Sequence, residues 1–198
     1  FLNGRGEPAN GPIPPGFATY ADTPNPFTQF NLDAAKQKLK EAEQINGGPI
    51  PTLTLLMPGT DTTIRQMGEF MQREVGQLGI DLKVDYTTWS RFQEMIDHKQ
   101  AQFYLLGWVA DYPDDQTFLQ LFWSKNETPG PNSANYRNAQ FDKLYEQSVV
   151  LDPGPQRDAL YRKMQQIVQE DLPWIYNTFP IGYTLSHDWV GDLSDNDY

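Results

Sequence analysis

The sequence predicts an α/β fold: a mixed, mostly parallel sheet flanked by helices. Amphipathic helical patterns alternate with short strand patterns through the first two thirds of the 198 residues. The spacing between successive strands leaves room for a helix in each connection, which favours parallel crossovers over hairpins. Residues 103–109 (FYLLGWV) form an unbroken apolar run of the kind found in a parallel-sheet strand buried on both faces.

Each element has its own signal. Residues 1–31 are punctuated by Gly4, Gly6, Pro8, Gly11, Pro12, Pro14, Pro15 and Gly16, and read as loop. Asn31 caps a helix with Leu32, Ala35, Leu39 and Ala42 on one face, stopped by Asn46-Gly47-Gly48. Residues 52–57 (TLTLLM) read as a strand. Gly59-Thr60-Asp61 leads into a helix whose stripe is Ile64, Met67, Met71, Val75 and Leu78. Residues 80–86 alternate Ile80, Leu82 and Val84 with Asp81, Lys83 and Asp85, as a half-buried strand does. A short helix over 90–97 buries Phe92 and Met95 or Ile96, and the apolar run follows.

Tyr112-Pro113 breaks that run, and Asp114 or Asp115 is placed to cap a helix carrying Phe118, Leu121 and Phe122. Residues 126–137 are polar and proline-rich. Asn138 caps a helix with Phe141, Leu144 and Tyr145 inward. Asp152-Pro153 starts another, with Leu160, Met164, Ile167 and Val168 inward, ended by Pro173. Residues 174–179 and 182–185 read as strands.

Composition narrows the function. A formal net charge of −11 without a basic patch argues against nucleic acid as a partner. The absence of cysteine excludes disulfides and thiolate metal sites. No apolar run reaches membrane-spanning length. Phe1-Leu2-Asn3-Gly4-Arg5 lacks the regions of a signal peptide, and the start reads as a processed end or a cut into a longer polypeptide.

Catalytic signatures are missing. There is no GxSxG elbow, and the two histidines, His98 and His187, lie far apart in the sequence. Asp111, Asp114 and Asp115 cluster without the ligand spacing of a calcium loop, and no glycine-rich loop opens a helix in a phosphate-binding pattern. No metal and no cofactor is expected. Asp114 and Asp115 suit helix capping. Asp111 follows the apolar run directly, where open α/β folds place ligands, and equally suits a turn aspartate bonding its own backbone. Trp108 lies between Gly107 and Val109, small neighbours that leave space for an extended ligand to pair with the main chain of 107–109. A carboxylate-dependent hydrolase using Asp111 with Asp114 or Asp115 is the distant alternative.

Gly107-Trp108-Val109-Ala110-Asp111-Tyr112, then Pro113-Asp114 and Phe118-Leu119, resembles the signature of the peptide-binding proteins of bacterial ABC transporters. Residues 11–16, the helix from Asn31 to Ala42, Asn135-Tyr136 with Phe141-Asp142-Lys143-Leu144, and Arg157, Tyr161 and Asp171-Leu172-Pro173 resemble other segments of that family. The resemblance implies a periplasmic-binding-protein-like lobe: residues 1–31 as a lead-in from a missing lobe, 32–190 as the C-terminal α/β lobe, and 191–198 as a truncated tail. It further implies a non-enzymatic, monomeric receptor, periplasmic or a cell-surface lipoprotein, that captures peptides for the membrane permease of an ABC importer. Asp111 would pair with the ligand's α-ammonium, Gly107, Trp108 and Val109 would offer backbone hydrogen bonds, and Trp89 would line a side-chain pocket. Tyr176 and Asn177 would add contacts from a later strand. Where some members carry arginines between the two tryptophan positions for the peptide carboxylate, this chain has only Arg91 in that region, which leaves another solute (a nickel chelate, haem or an oligosaccharide) as the alternative ligand.

Overall fold

Capping and turn residues set the element boundaries. In the computed structural model, which describes residues 3–22 and 25–191, the chain forms β1 (Gly6–Pro8), α1 (Leu32–Asn46), β2 (Leu53–Met57), α2 (Thr62–Gly76) and β3 (Leu82–Tyr86). It continues through α3 (Trp89–Asp97), β4 (Phe103–Tyr104), α4 (Gln116–Leu119), α5 (Ala139–Ser148), α6 (Pro155–Asp171) and β5 (Thr178–Pro180). These elements divide into two compact units, residues 29–107 and residues 2–28 with 108–198. Residues 192–198, most of the expected tail, lie outside the described residues.

In the first unit the parallel sheet has the order β3-β2-β4. The Asp61 carboxylate accepts from the N–H groups of Thr63 and Ile64 at 2.9 and 3.1 Å, which starts α2 by satisfying donors the helix cannot. Asn31 and Thr88 cap α1 and α3 in the same way. Gly47 ends α1 at φ 75°, a left-handed conformation that glycine adopts without steric cost.

The two-residue period of β2 then sorts its side chains. Leu55 and Met57 join Leu82 in a core covered by Ile64, Met67, Met71 and Val75 of α2. Leu56 joins Phe92 and Ile96 of α3 in a second core. At Gly68, α2 packs against β3 without room for a side chain: an added Cβ would stand 2.5 Å from Tyr86 Oη and 2.8 Å from Val84 Cγ1. The expected stripe of α1 is half-buried, none of the helix's residues is fully buried, and Ile45 is 89% exposed.

The second unit is built around rings. Phe118, Leu119, Leu121, Phe122, Phe141, Tyr145, Tyr161, Met164 and Val168 form a core that also takes in Ile13. Phe122 lies at its centre, with ring centroids 4.3 Å from Trp174, 6.0 Å from Phe141 and 6.1 Å from Tyr136. The amino-terminal residues are part of this body. β1 pairs antiparallel with β5, and Phe17 meets Phe118 edge-on at 5.1 Å.

Three expectations need correction. The strand expected over 103–109 is only the two residues of β4, because the chain leaves the sheet after Tyr104. Of residues 174–179 only the last two are strand, and 182–185 form none, because β1 is short and pairs only with Thr178–Pro180. In α6 the fully buried face is Tyr161, Met164, Gln165 and Val168; Leu160 and Ile167 are half-buried at its sides.

Candidate functional site

The departure of the chain from the sheet after Tyr104 exposes what the apolar run was expected to hide. Among the described residues, 106–110 make no backbone hydrogen bond. Trp108 is 39% and Val109 75% exposed, and an added Cβ on Gly107 would meet nothing within 4 Å. The boundary between the two units falls between Gly107 and Trp108. From Trp108 onward the segment belongs to the second unit.

Asp111 is exposed, and no described residue pairs with its carboxylate. Its backbone N–H donates to Thr117 Oγ1 at 3.2 Å. The Trp108 indole N–H donates to the same oxygen at 3.4 Å. Thr117 is fully buried at the start of α4, next to the core residues Phe118 and Leu119. One buried hydroxyl thus brings two of the sequence-predicted residues together. Asp111 is not the self-bonded turn residue that its sequence position also allowed.

The next two carboxylates are long-range tethers, and the capping expectation holds only for Asp114. Its Oδ1 accepts from the N–H of Gln116 at 3.0 Å and from the Tyr161 hydroxyl at 2.9 Å, and its Oδ2 pairs with the Arg157 guanidinium. Burial, and then the hydrogen bond to this carboxylate, push the Tyr161 phenol well above its ordinary value, which keeps it a donor. Asp115 occupies the cap position of α4 but makes no capping bond. It is buried and accepts from the N–H and hydroxyl of Thr19, at 3.1 and 2.6 Å. The Thr19 hydroxyl in turn lies 2.5 Å from Gln165 Nε2 of α6. Two adjacent aspartates therefore fix the acidic turn to α6 and to the amino-terminal segment. Spacing offers a faint signal for Arg157 and Tyr161, which are one helical turn apart, and none for Thr19.

The remaining predicted residues are placed as follows. Trp89, in the first unit, is 52% exposed and stacks on Phe92 at 5.5 Å. Tyr176 directs its hydroxyl to the carbonyl of Val168 at 3.4 Å, and burial raises its phenol. The side chain of Asn177 is exposed, and its carbonyl accepts from the N–H of Ala9 at 3.1 Å, extending the β1–β5 pairing. A cavity of about 390 Å³ in the second unit, lined by Thr19, Asn25, Phe27, Arg162, Gln165 and Gln169 among others, contains none of the predicted residues. Neither histidine stands in a catalytic arrangement: His98 Nδ1 lies 2.8 Å from the Glu94 carbonyl, and His187 stacks on Trp189 at 3.9 Å. Among the described residues no cluster of His, Asp and Glu could hold a metal ion.

An exposed carboxylate beside a segment whose backbone groups are unpaired can receive a cation and an extended chain together. Such an arrangement, on an α/β scaffold, is of the kind that binding proteins for small solutes use. A model described as bacterial extracellular solute-binding proteins, family 5 middle, matches residues 1–130, and the chain belongs to this family. It is 25% identical over 183 residues to heme-binding protein A of Haemophilus influenzae, covering 91% of this chain and 33% of that protein. It is 26% identical over 194 residues to the oligopeptide-binding protein OppA of Bacillus subtilis, covering 96% and 34%. Among solved structures, the periplasmic binding protein DppA of Helicobacter pylori in complex with the peptide STSA aligns with a TM-score of 0.79 at 25% identity, covering 89% of this chain and 34% of that one. The chain spans about a third of the length of the relatives it matches. The expected periplasmic-binding-protein-like α/β fold is thus the fold of its structural neighbours.

Proposed function

We propose that this chain supplies one wall of the ligand site in an extracytoplasmic receptor that captures peptides and delivers them to the membrane permease of an ABC importer. The observation that carries the reading is the unpaired Asp111 carboxylate at the end of a segment, 106–110, that makes no backbone hydrogen bond among the described residues. A peptide's ammonium on Asp111 forms a charge-assisted hydrogen bond, worth about 1.5–3 kcal/mol net. Its main chain pairs with Gly107, Trp108 and Val109 without regard to side chains, as an added strand does. Within the second unit, Tyr176 and Asn177 are further proposed contacts; in the first, Trp89 is proposed to line a side-chain pocket. Relatives named for oligopeptide binding, and a neighbour holding a peptide, support this reading. The relative named for haem binding favours a second one, in which the same segment holds a different solute. A hydrolytic role is disfavoured because Asp114 and Asp115, the carboxylates that would assist Asp111, are occupied by Arg157, Tyr161 and Thr19. The family consists of solute-binding proteins. The net charge of −11 supports a receptor without nucleic-acid partners, and we place it outside the cytoplasm as a monomer.

The test is calorimetry on the intact protein with the peptide STSA and its N-acetylated form. Asp111→Asn should weaken binding of the free-amine peptide by about tenfold or more, equivalent to about 1.4 kcal/mol per decade, and leave the acetylated form nearly unchanged. Equal affinity of wild type and Asp111→Asn for the free-amine peptide overturns the pairing.

A further inference from the structure

The bonds around Asp111 raise a question of rigidity. Residues 106–110 lack backbone hydrogen bonds among the described residues, so hydrogen bonding along the chain does not hold them in an extended shape. The Thr117 hydroxyl fills that role, since an oxygen with two acceptor lone pairs receives both the Trp108 indole N–H and the Asp111 backbone N–H. Its own position is fixed. Thr117 is fully buried, its N–H donates to the Asp114 carbonyl at 3.0 Å, and its carbonyl accepts from Gln120 Nε2 at 3.2 Å.

We propose that Thr117 is a positioning residue, which sets the direction of the Asp111 carboxylate and the face of Trp108 by holding both on one buried oxygen. The proposal rests on the reading of Asp111 as the partner of a peptide ammonium. Asp111 and Trp108 are both partly open to solvent, so water can satisfy their N–H groups when the Thr117 oxygen is removed. Loss of the oxygen therefore acts on geometry more than on folding. The segment becomes mobile, the ligand must order it, and affinity falls because preorganisation is lost. The ion pair of Asp114 with Arg157 and its bond from Tyr161 act on the other side of the turn. They hold the turn to α6 through Asp114 and not through Trp108 or Asp111.

The experiment measures, in the intact protein, the ratio of affinities for the peptide STSA and its N-acetylated form. Thr117→Val, which replaces the hydroxyl by a methyl of similar size, should lower that ratio by about tenfold with the melting temperature within a few degrees of wild type. Thr117→Ser, which keeps the oxygen, should restore the ratio. If Thr117→Val does not fold, Thr117→Ala set against Thr117→Ser gives the same contrast. A ratio that collapses in Asp111→Asn and stays at the wild-type value without the Thr117 oxygen overturns the positioning role and leaves the functional reading standing. A ratio that Asp111→Asn itself leaves unchanged overturns both.

Discussion

The unit of residues 29–107 and the unit of residues 2–28 with 108–198 are held together by different means. In the first, each element follows from its neighbours in sequence. A cap starts each helix, and the alternation along β2 directs Leu55 and Met57 to α2 and Leu56 to α3. In the second, a buried aromatic cluster is fixed by polar contacts between residues far apart in the chain: Asp114 with Arg157 and Tyr161, Asp115 with Thr19, Thr19 with Gln165. Local periodicity can build a sheet covered by helices. Holding an irregular, solvent-exposed segment such as 108–112 in one shape takes partners that periodicity does not specify.

The contrast predicts where single substitutions hurt most. Phe122 is fully buried and contacts Trp174, Phe141 and Tyr136, so Phe122→Ala removes a ring that three others pack against. The expected loss is about 3–5 kcal/mol, the range for truncating a buried aromatic, read by denaturant unfolding of the intact protein. A loss below about 1 kcal/mol would mean that the cluster does not carry the second unit.

The same contrast accounts for what the sequence made legible. The caps at Asn31 and Asn138, the helix start at Gly59-Thr60-Asp61 and the stripe of α2 from Ile64 to Val75 are short-range signals and are found in place, whereas Leu78 lies beyond the end of α2. The apolar run after Tyr104 misled because hydrophobicity reports a wish to be covered and does not say by what. Leu106, Trp108 and Val109 are 42%, 39% and 75% exposed, and the α/β pattern treats every such run as a sheet strand. The acidic turn was legible as a place and only partly as a mechanism. A carboxylate at a helix start suits capping, and only the fold places Arg157, Tyr161 and Thr19 against it. Asp111 could be singled out because it follows the run, whereas Thr117 could not, since a threonine inside a short helix has no distinctive pattern.

A smaller effect is expected where local rules dominate. Asp61→Ala removes both capping bonds of α2 and should cost about 1 kcal/mol, because the freed N–H groups of Thr63 and Ile64 lie at an exposed helix end and water can take them. Asp61→Ser should recover most of the loss, since a hydroxyl also accepts at this position. A cost approaching that of Phe122→Ala would erase the distinction between the units.

The smallest effect should come from Tyr104, set against Tyr161, a phenol that burial also raises but that is bonded differently. Burial alone pushes Tyr104, in the first unit, up to about 12 from 10.0, and no described residue pairs with its hydroxyl. Tyr161, in the second, is raised by burial together with its bond to Asp114. A phenol raised in the folded state is protonated in both states below its unfolded value, so its contribution is then complete. Above about pH 10 the unfolded chain releases the proton that the folded chain keeps, and stability falls as pH rises. Tyr104→Phe should therefore leave stability at pH 7 nearly unchanged and flatten its decline between pH 10 and about 12. Tyr161→Phe should flatten the alkaline decline too, but at pH 7 it should also cost about 1 kcal/mol, because Asp114 loses a donor. Equal costs for the two substitutions at pH 7 would show that the bond to Asp114 adds nothing to burial, and the second unit would then owe its shape to its rings alone.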